Sequence, residues 1–554
     1  MLLLQPGTAS AGCESGMEAS WSTLEQRAWM ALVAGDDFDG AAEVAGQGGG
    51  QPELSAAFLR NILTCDRLFA LLPEGVVSMR NVGVRERLDL SYKSVLARLE
   101  CRNCVFTSIV AKDSAWLGGV ALNGVQVFET LDLSNSRLSS SLILTESDVR
   151  DELNLSRAEI AGDVIIADSD IVELIADSAS IGGSLELRGV EVLDYATFWG
   201  AVVAHDVVLA GSKAGRRTVI GSTVEEVSGL DGNSPPALSF GSAKIDRRIS
   251  ITDTVVNGGL DMDAVRITED LWLRGCSAVA GPMNLVFARV GQNIDFSSTL
   301  LNDVDLTGAR IGGELRLGAP IGRLTAPVWK PGARLLLRNV ELSSWTDATG
   351  NPAPRSGTCV PVNAQADPWP KQVDAIGFSY RNIGGLGGSP ATAHGVDWFC
   401  RWLERQMPFS FEPYQHAAAY LRGVGLDEDA DDVLYCGKIR EIDNTASWLG
   451  KFLLQMQRGF VGFGYRIERS LIWAAVFIVL GQQIFSRTKE AKAHHMPFGL
   501  AYSVEMFIPA LSLRHLHQEI DLTGWQRYYF YIHKFMGWVL SSLVVASFVG
   551  LLGD

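Results

Sequence analysis

The chain has 554 residues, 57 of them glycine, and a formal charge of −16 at pH 7. That length exceeds one compact core and implies either several domains or a repeat architecture growing in one dimension. The acidic balance argues against a general nucleic-acid binder, which needs a basic stripe to displace counterions from phosphates, so no nucleic-acid partner is expected.

Met1 to Gly16 carries only Leu2–Leu4 as an apolar run and no basic start, so residues 1–17 read as a disordered N-terminus without a secretory signal. Residues 18–75 read as a helical cap. Trp21, Leu24, Ala28 and Leu32 recur at helical spacing, the tract at 46–51 reads as a loop, and Pro52 to Leu72 reads as a second helix.

From residue 76 to 342 the pattern changes. Apolar–x–apolar pairs such as Leu131/Leu133, Leu142/Leu144 and Leu153/Leu155 recur mostly eleven residues apart, with Leu335/Leu337 the expected last pair. Residues two apart share a face in a strand but not in a helix, so the pairs predict strands. The unit "LNLSRAEIAGD" from Leu153 is apolar at positions one and three, small at six and apolar at eight. The fold class is therefore mainly β: a parallel β-solenoid of ~11-residue strand-turn units, with stacked strands ~4.8 Å apart. Residues 221–236 break the period and read as an insertion. The terminal helices are expected to cover the open edges of the coils.

Residues 343–395 are rich in Pro and Gly and read as a loop-rich exit. Residues 396–464 read as a helical hairpin and a juxtamembrane segment, with helices from Pro413 to Leu421 and from Asp427 to Ile442. Residues 465–554 read as a transmembrane hairpin. Ile467–Phe485 and Phe535–Leu552 approach the ~20 apolar residues that cross a hydrocarbon core, flanked by aromatic and basic residues. Pro497–Leu513 between them is apolar but broken by Glu505 and Pro509, and reads as interfacial or re-entrant.

Candidate chemistry is sparse. Among eight cysteines, only Cys101 and Cys104 form a C-x-x-C pair, and Cys101 falls on an inward strand position, which predicts buried structural thiols. "GGLGGS" at Gly384 lies in a loop without a strand–helix context for a dinucleotide. Asp89, Asp132, Asp261, Asp263, Asp295 and Asp305 recur between or beside the apolar positions and read as a solvated face. Neither a catalytic residue nor a cofactor is expected, and no metal site is assigned. His494, His495, His515 and His517 form a candidate pH-sensing or metal cluster in the hairpin loop. Glu505, Pro509, Trp473 and Trp538 are candidate membrane or pore residues, because a carboxylate at membrane depth is costly unless it faces a water-filled path; if Pro497–Leu513 lies at the interface instead, Glu505 is expected on its wet side. The leading reading is a membrane-anchored scaffold whose partners are the bilayer and a protein or a second copy. The alternative is a gated pore sensed by the solenoid.

Several segments resemble a bacterial, mainly actinobacterial, family of β-helix-repeat membrane proteins, often described as "membrane-associated oxidoreductase" or pentapeptide-repeat-like. The resemblance is carried by "LSAAFLRNIL" at Leu54, "GARIGGELRL" at Gly308, "WFCRWLERQ" at Trp398, the Pro413-Tyr414 helix start and "GFGYRIERSLIW" at Gly462, where Phe463 and Ile467 depart from the family's G-Y-G-Y-R-P. It implies a β-helix integral to the bacterial cytoplasmic membrane. The oxidoreductase label finds no motif here. With no export signal, the solenoid is expected on the cytoplasmic side.

Overall fold

The computed structural model describes residues 20–43, 51–222, 236–318, 325–347, 367–384, 394–493, 499–509, 511–513, 517 and 521–552. The expected disordered start, most of the 46–51 loop, most of the 221–236 insertion, "GGLGGS" beyond Gly384, and His494, His495 and His515 lie outside the described residues. The chain divides into a first unit through His394 that also includes residues 405–407, and a second comprising 395–404 and 408–554.

The first unit is a parallel β-solenoid. Its strands form two sheets, of 23 and 20 strands, in which every described ladder pairing is parallel. The apolar pairs alternate between the sheets. Val120/Leu122, Leu142/Leu144 and Val164/Ile166 stack in the first, and Leu131/Leu133 stacks on Leu153/Leu155 in the second. Two units therefore make one coil, and stacked partners such as Val120 and Leu142 lie 22 residues apart. Each coil touches each sheet through two short strands, as with Glu159–Ile160 and Val164–Ala167 in the first sheet. The inward Leu, Ile and Val side chains are almost fully buried and form a continuous core.

A recurrent turn explains the unit. The fifth residue sits in the left-handed region, as at Asn135 (φ 56°), Arg157 (φ 55°), Ser178 (φ 56°) and Ala264 (φ 52°). The N–H of the sixth residue then closes on the third carbonyl, as from Ala158 to Leu155 at 3.0 Å and from Ala179 to Ala176 at 3.1 Å. The sixth side chain is buried inside this turn, which is why it is small.

Of the outward aspartates, Asp89 is exposed and Asp261, Asp263 and Asp305 are half-buried, but two depart from the solvated face expected of them. Asp132 and Asp295 are only 4 % and 1 % exposed. Each accepts the N–H two residues on, from Ser134 at 2.9 Å and Ser297 at 3.0 Å, and Asp89, Asp261 and Asp305 do the same. They fix the turn as local backbone mimics, and stacking of neighbouring coils covers some of them.

The solenoid also runs further than its expected last pair. Leu335 and Leu336 pair with Val373 and Asp374, and Leu342 pairs with Tyr380, so residues 372–383 form another coil rather than loop. The 38-residue gap between Leu335 and Val373 conceals it from a periodic reading.

At the other end, Thr23–Ala34 is a helix with a capping box, Ser22 accepting from Glu25 N and Glu25 from Ser22 N. The expected Pro52–Leu72 helix is in fact two, Ala56–Thr64 and Asp66–Phe69, broken at Cys65. Phe38–Asp39 adds a strand beside Met79–Arg80, and Glu53 bridges Gly83, so the cap covers the first edge of both sheets. Cys101 and Cys104 are buried and unbridged.

The second unit is helical. Val396–Leu403, Glu412–Gly423 and Asp427–Asn444 include the expected hairpin, with Gly425 (φ 81°) at its turn. A disulfide joins Cys400 to Cys436. Trp448–Val461 follows, N-capped by Ser447. Ile467–Phe485, Leu500–Phe507 and Trp525–Leu552 then pack on one another. Of the described helices, one stretch, Glu468–Phe485, is long and apolar enough to cross a membrane. The second expected span, Phe535–Leu552, forms the C-terminal part of the 28-residue Trp525–Leu552 helix, and most of its side chains beyond Ser542 lie outside the described residues.

Candidate functional site

The second unit holds the candidates that the sequence singles out. Glu505 lies on the short Leu500–Phe507 helix, between the two long ones. The packing is close because Gly481 and Gly537 are where it occurs. A Cβ at Gly481 would overlap Ser503 and His533, and one at Gly537 would overlap the Phe507 carbonyl. Small residues of this kind let helix backbones approach. Phe485 sits at the centre, edge-on to Tyr502, Phe530 and His533.

Glu505 is buried, and its Oε2 lies 2.6 Å from Nδ1 of the equally buried His517. Tyr502 packs edge-on against His517 at 5.2 Å. Glu505 had been expected on a water-filled path or on a wet interfacial side. It is instead closed against a histidine, and its other oxygen is buried without a hydrogen-bond partner among the described residues. A second polar contact ties His533 Nε2 to the Ser503 carbonyl at 3.1 Å, while Ser503 Oγ donates to the Ile478 carbonyl at 2.7 Å. The remaining candidates lie apart from this pair. Pro509 and Trp538 line a shallow groove of about 340 Å³ with Tyr531, Lys534 and Phe535. Trp473 donates to the Gly459 carbonyl at 3.0 Å and packs on Phe460. Among the described residues no three His, Cys, Asp or Glu side chains converge as metal ligands.

In the solenoid, Asp261 and Asp263 are the nearest thing to an acid pair. Burial, and then the Asp261 charge, hold the Asp263 carboxyl above its usual range. Asp261, however, is occupied by Asn284 at 2.9 Å, Ser239 at 3.2 Å and the Asp263 N–H. Among the described residues no Lys or Arg forms an ion pair with either.

A further basic feature lies on the first sheet. Lys244, Arg266, Arg289 and Arg310 occupy one register column on four successive coils. All four are exposed. With Thr268, Gly291 and Gly312 they line a shallow groove of about 360 Å³. Its floor is bare backbone by necessity. A Cβ at Gly291 would overlap the Thr268 carbonyl, and one at Gly312 would overlap the Gly291 carbonyl. Lys244 pairs with Asp246 at 2.9 Å and Arg310 with Glu341 at 3.6 Å, but the guanidinium groups of Arg266 and Arg289 have no ion-pair partner among the described residues. Earlier in the same column the charges alternate instead, Arg137 meeting Glu159 at 2.9 Å. The signal was present in the sequence as "AKI", "VRI", "ARV" and "ARI", but only at the two-unit spacing of a coil.

No family model, curated protein or solved structure matches this chain.

Proposed function

We propose that the protein is a non-catalytic scaffold, anchored in a membrane by its C-terminal helices and presenting a stiff β-solenoid to a partner. The observation that carries the reading is exposure. Only 17 % of the Glu468–Phe485 window is buried. Leu471, Ile472, Val479 and Leu480 on this helix, and Ile532, Phe535 and Trp538 on Trp525–Leu552, face outward. The core helix of a soluble domain buries such residues, whereas lipid leaves them outward. Trp448–Val461 adds a membrane-surface helix, with Trp448, Phe452 and Leu453 exposed beside Lys451 and Arg458.

The disulfides bear on sidedness. Cys400 pairs with Cys436, and Cys65 and Cys276 are also disulfide-bonded. Bridges in several parts of one chain belong to an oxidising compartment. This favours the outer face of the membrane over the cytoplasmic side expected from the sequence. The test is alkaline carbonate extraction of membranes, followed by thiol labelling of the intact cell. Retention in the pellet with Cys400 and Cys436 inaccessible until reduced is expected. Release of the full chain into the soluble fraction would defeat the anchor, and free thiols at both positions would defeat the outer placement.

A further inference from the structure

We propose that the column formed by Lys244, Arg266, Arg289 and Arg310 binds a linear acidic polysaccharide with one carboxylate per sugar, laid along the solenoid axis. Four cations on successive coils span about 14 Å at ~4.8 Å per coil. Like charges directly opposite one another across strands destabilise the pairing. In a chain of net charge −16, where Arg137 in the same column is neutralised by Glu159, a run of cations without carboxylates between them points to an external anion. The two ends of the run are tied to Asp246 and Glu341, which leaves Arg266 and Arg289 as the principal contacts. The guanidinium fork suits a carboxylate, giving charge-assisted and often bidentate hydrogen bonds.

The geometry chooses the class of anion. In an extended two-fold polysaccharide a ring advances the chain by about one strand spacing, so its same-face carboxylates recur about every second coil, roughly 9.6 Å, and stay in register with the column. An acidic peptide in extended form repeats its same-face carboxylates at roughly 6.8 Å and loses register within two coils. The column is also one residue wide. The outward positions on the adjoining strands are Ser250, Trp272, Asp295 and Arg316, and the one cation among them is paired with Glu314 at 2.7 Å. A flat anionic bilayer has no preference for a single file of charges, whereas a linear polymer does. The glycine floor at Gly291 and Gly312 lets a sugar ring settle between the arginine stems and the backbone. The preference for polysaccharide over nucleic acid also rests on the outward-facing, oxidising placement proposed above. The grip on a linear polyanion does not depend on it.

The test uses the full chain in detergent micelles and fluorescein-labelled polygalacturonate, read by anisotropy over a range of salt concentrations. Saturable binding is expected, with a negative salt dependence. The Arg266→Glu/Arg289→Glu variant should weaken it by about tenfold or more and lower the salt slope by roughly two. Arg266→Gln/Arg289→Gln should weaken it in the same direction by less. A second reversal with the same change in net charge, Arg137→Glu/Arg150→Glu, should leave it unchanged. Both arginine pairs are exposed, and circular dichroism checks that each variant is folded. No binding, or equal loss in the two charge reversals, overturns the proposal. Tighter binding to a single-stranded oligonucleotide or to phosphatidylglycerol vesicles overturns the choice of polymer. Because the assay is run in detergent, its failure is separate from failure of the membrane anchor, which carbonate extraction reads.

Discussion

One substitution, made at two alanines of the solenoid turn, should change stability in opposite directions. Ala264 is the fifth residue of its unit and has φ 52°. An L-residue in this conformation costs about 1–2 kcal/mol, because its Cβ crowds the following carbonyl. Glycine pays no such steric cost but loses about 0.5–1 kcal/mol more backbone freedom on folding. The net effect of Ala264→Gly is a stabilisation of about 0.5–1 kcal/mol. Its N–H bond to the Val286 carbonyl, at 2.8 Å, is retained. Ala158 is the sixth residue of its own unit, fully buried, and its N–H closes the turn on Leu155. It is not among the positive-φ residues, so Ala158→Gly has no strain to relieve. It gives up backbone restraint and one buried methyl, a loss of about 1–2 kcal/mol. Because a solenoid opens coil by coil rather than as a single two-state body, the assay is hydrogen exchange of the full chain, read on peptides covering each altered coil and its neighbours. Slower exchange around residues 260–270 in Ala264→Gly and faster exchange around residues 153–163 in Ala158→Gly are expected. Destabilisation by both substitutions would refute the assignment of strain to the fifth position.

Three further outcomes follow from named contacts. Leu187 is fully buried and stacks between Ile166 and Leu209, so Leu187→Ala should cost about 2–5 kcal/mol, seen as faster exchange in its own coil and the two beside it. Burial pushes the Glu25 carboxyl upward, but bonds from Ser55 and Ser22 outweigh it and hold the group below its usual range. A depressed carboxyl stabilises above its unfolded pKa of about 4.3 and loses that contribution as pH falls through the folded value. Exchange protection of the N-terminal cap should therefore drop on acidification in the wild type, and Glu25→Gln should be weaker at neutral pH and flatter with pH. Removing the Cys400–Cys436 bridge, which closes a separation of 36 residues, as Cys400→Ser/Cys436→Ser should cost about 2–4 kcal/mol. Reductant should lower the unfolding midpoint of the helical unit in the wild type and leave that of the variant unmoved.

The solenoid was legible in the sequence because its decisive contacts are one-dimensional. Leu153 and Leu155 must face one way, Ala158 must fit inside the turn and Ile160 must face inward again, so each unit writes its own structure into eleven residues. The helical hairpin and the long apolar helix at Ile467 were legible for the same reason, since spacing and composition along a single element express them. What only the tertiary structure decided are contacts between residues that no local period relates. The coil at residues 372–383 is recognised through the register of Val373 on Leu335, across an interruption longer than a coil. Asp132 and Asp295 occupy outward positions in sequence, and it is the stacking of neighbouring coils that buries them. Cys400 and Cys436 meet because two helices pack. Glu505 finds His517 because a short helix is wedged between two long ones, which shields the carboxylate from water and makes a partner necessary. The cation column needs the number of units in a coil before its four members become neighbours. Local periodicity specifies what each residue faces, and register between coils and packing between helices specify what it touches.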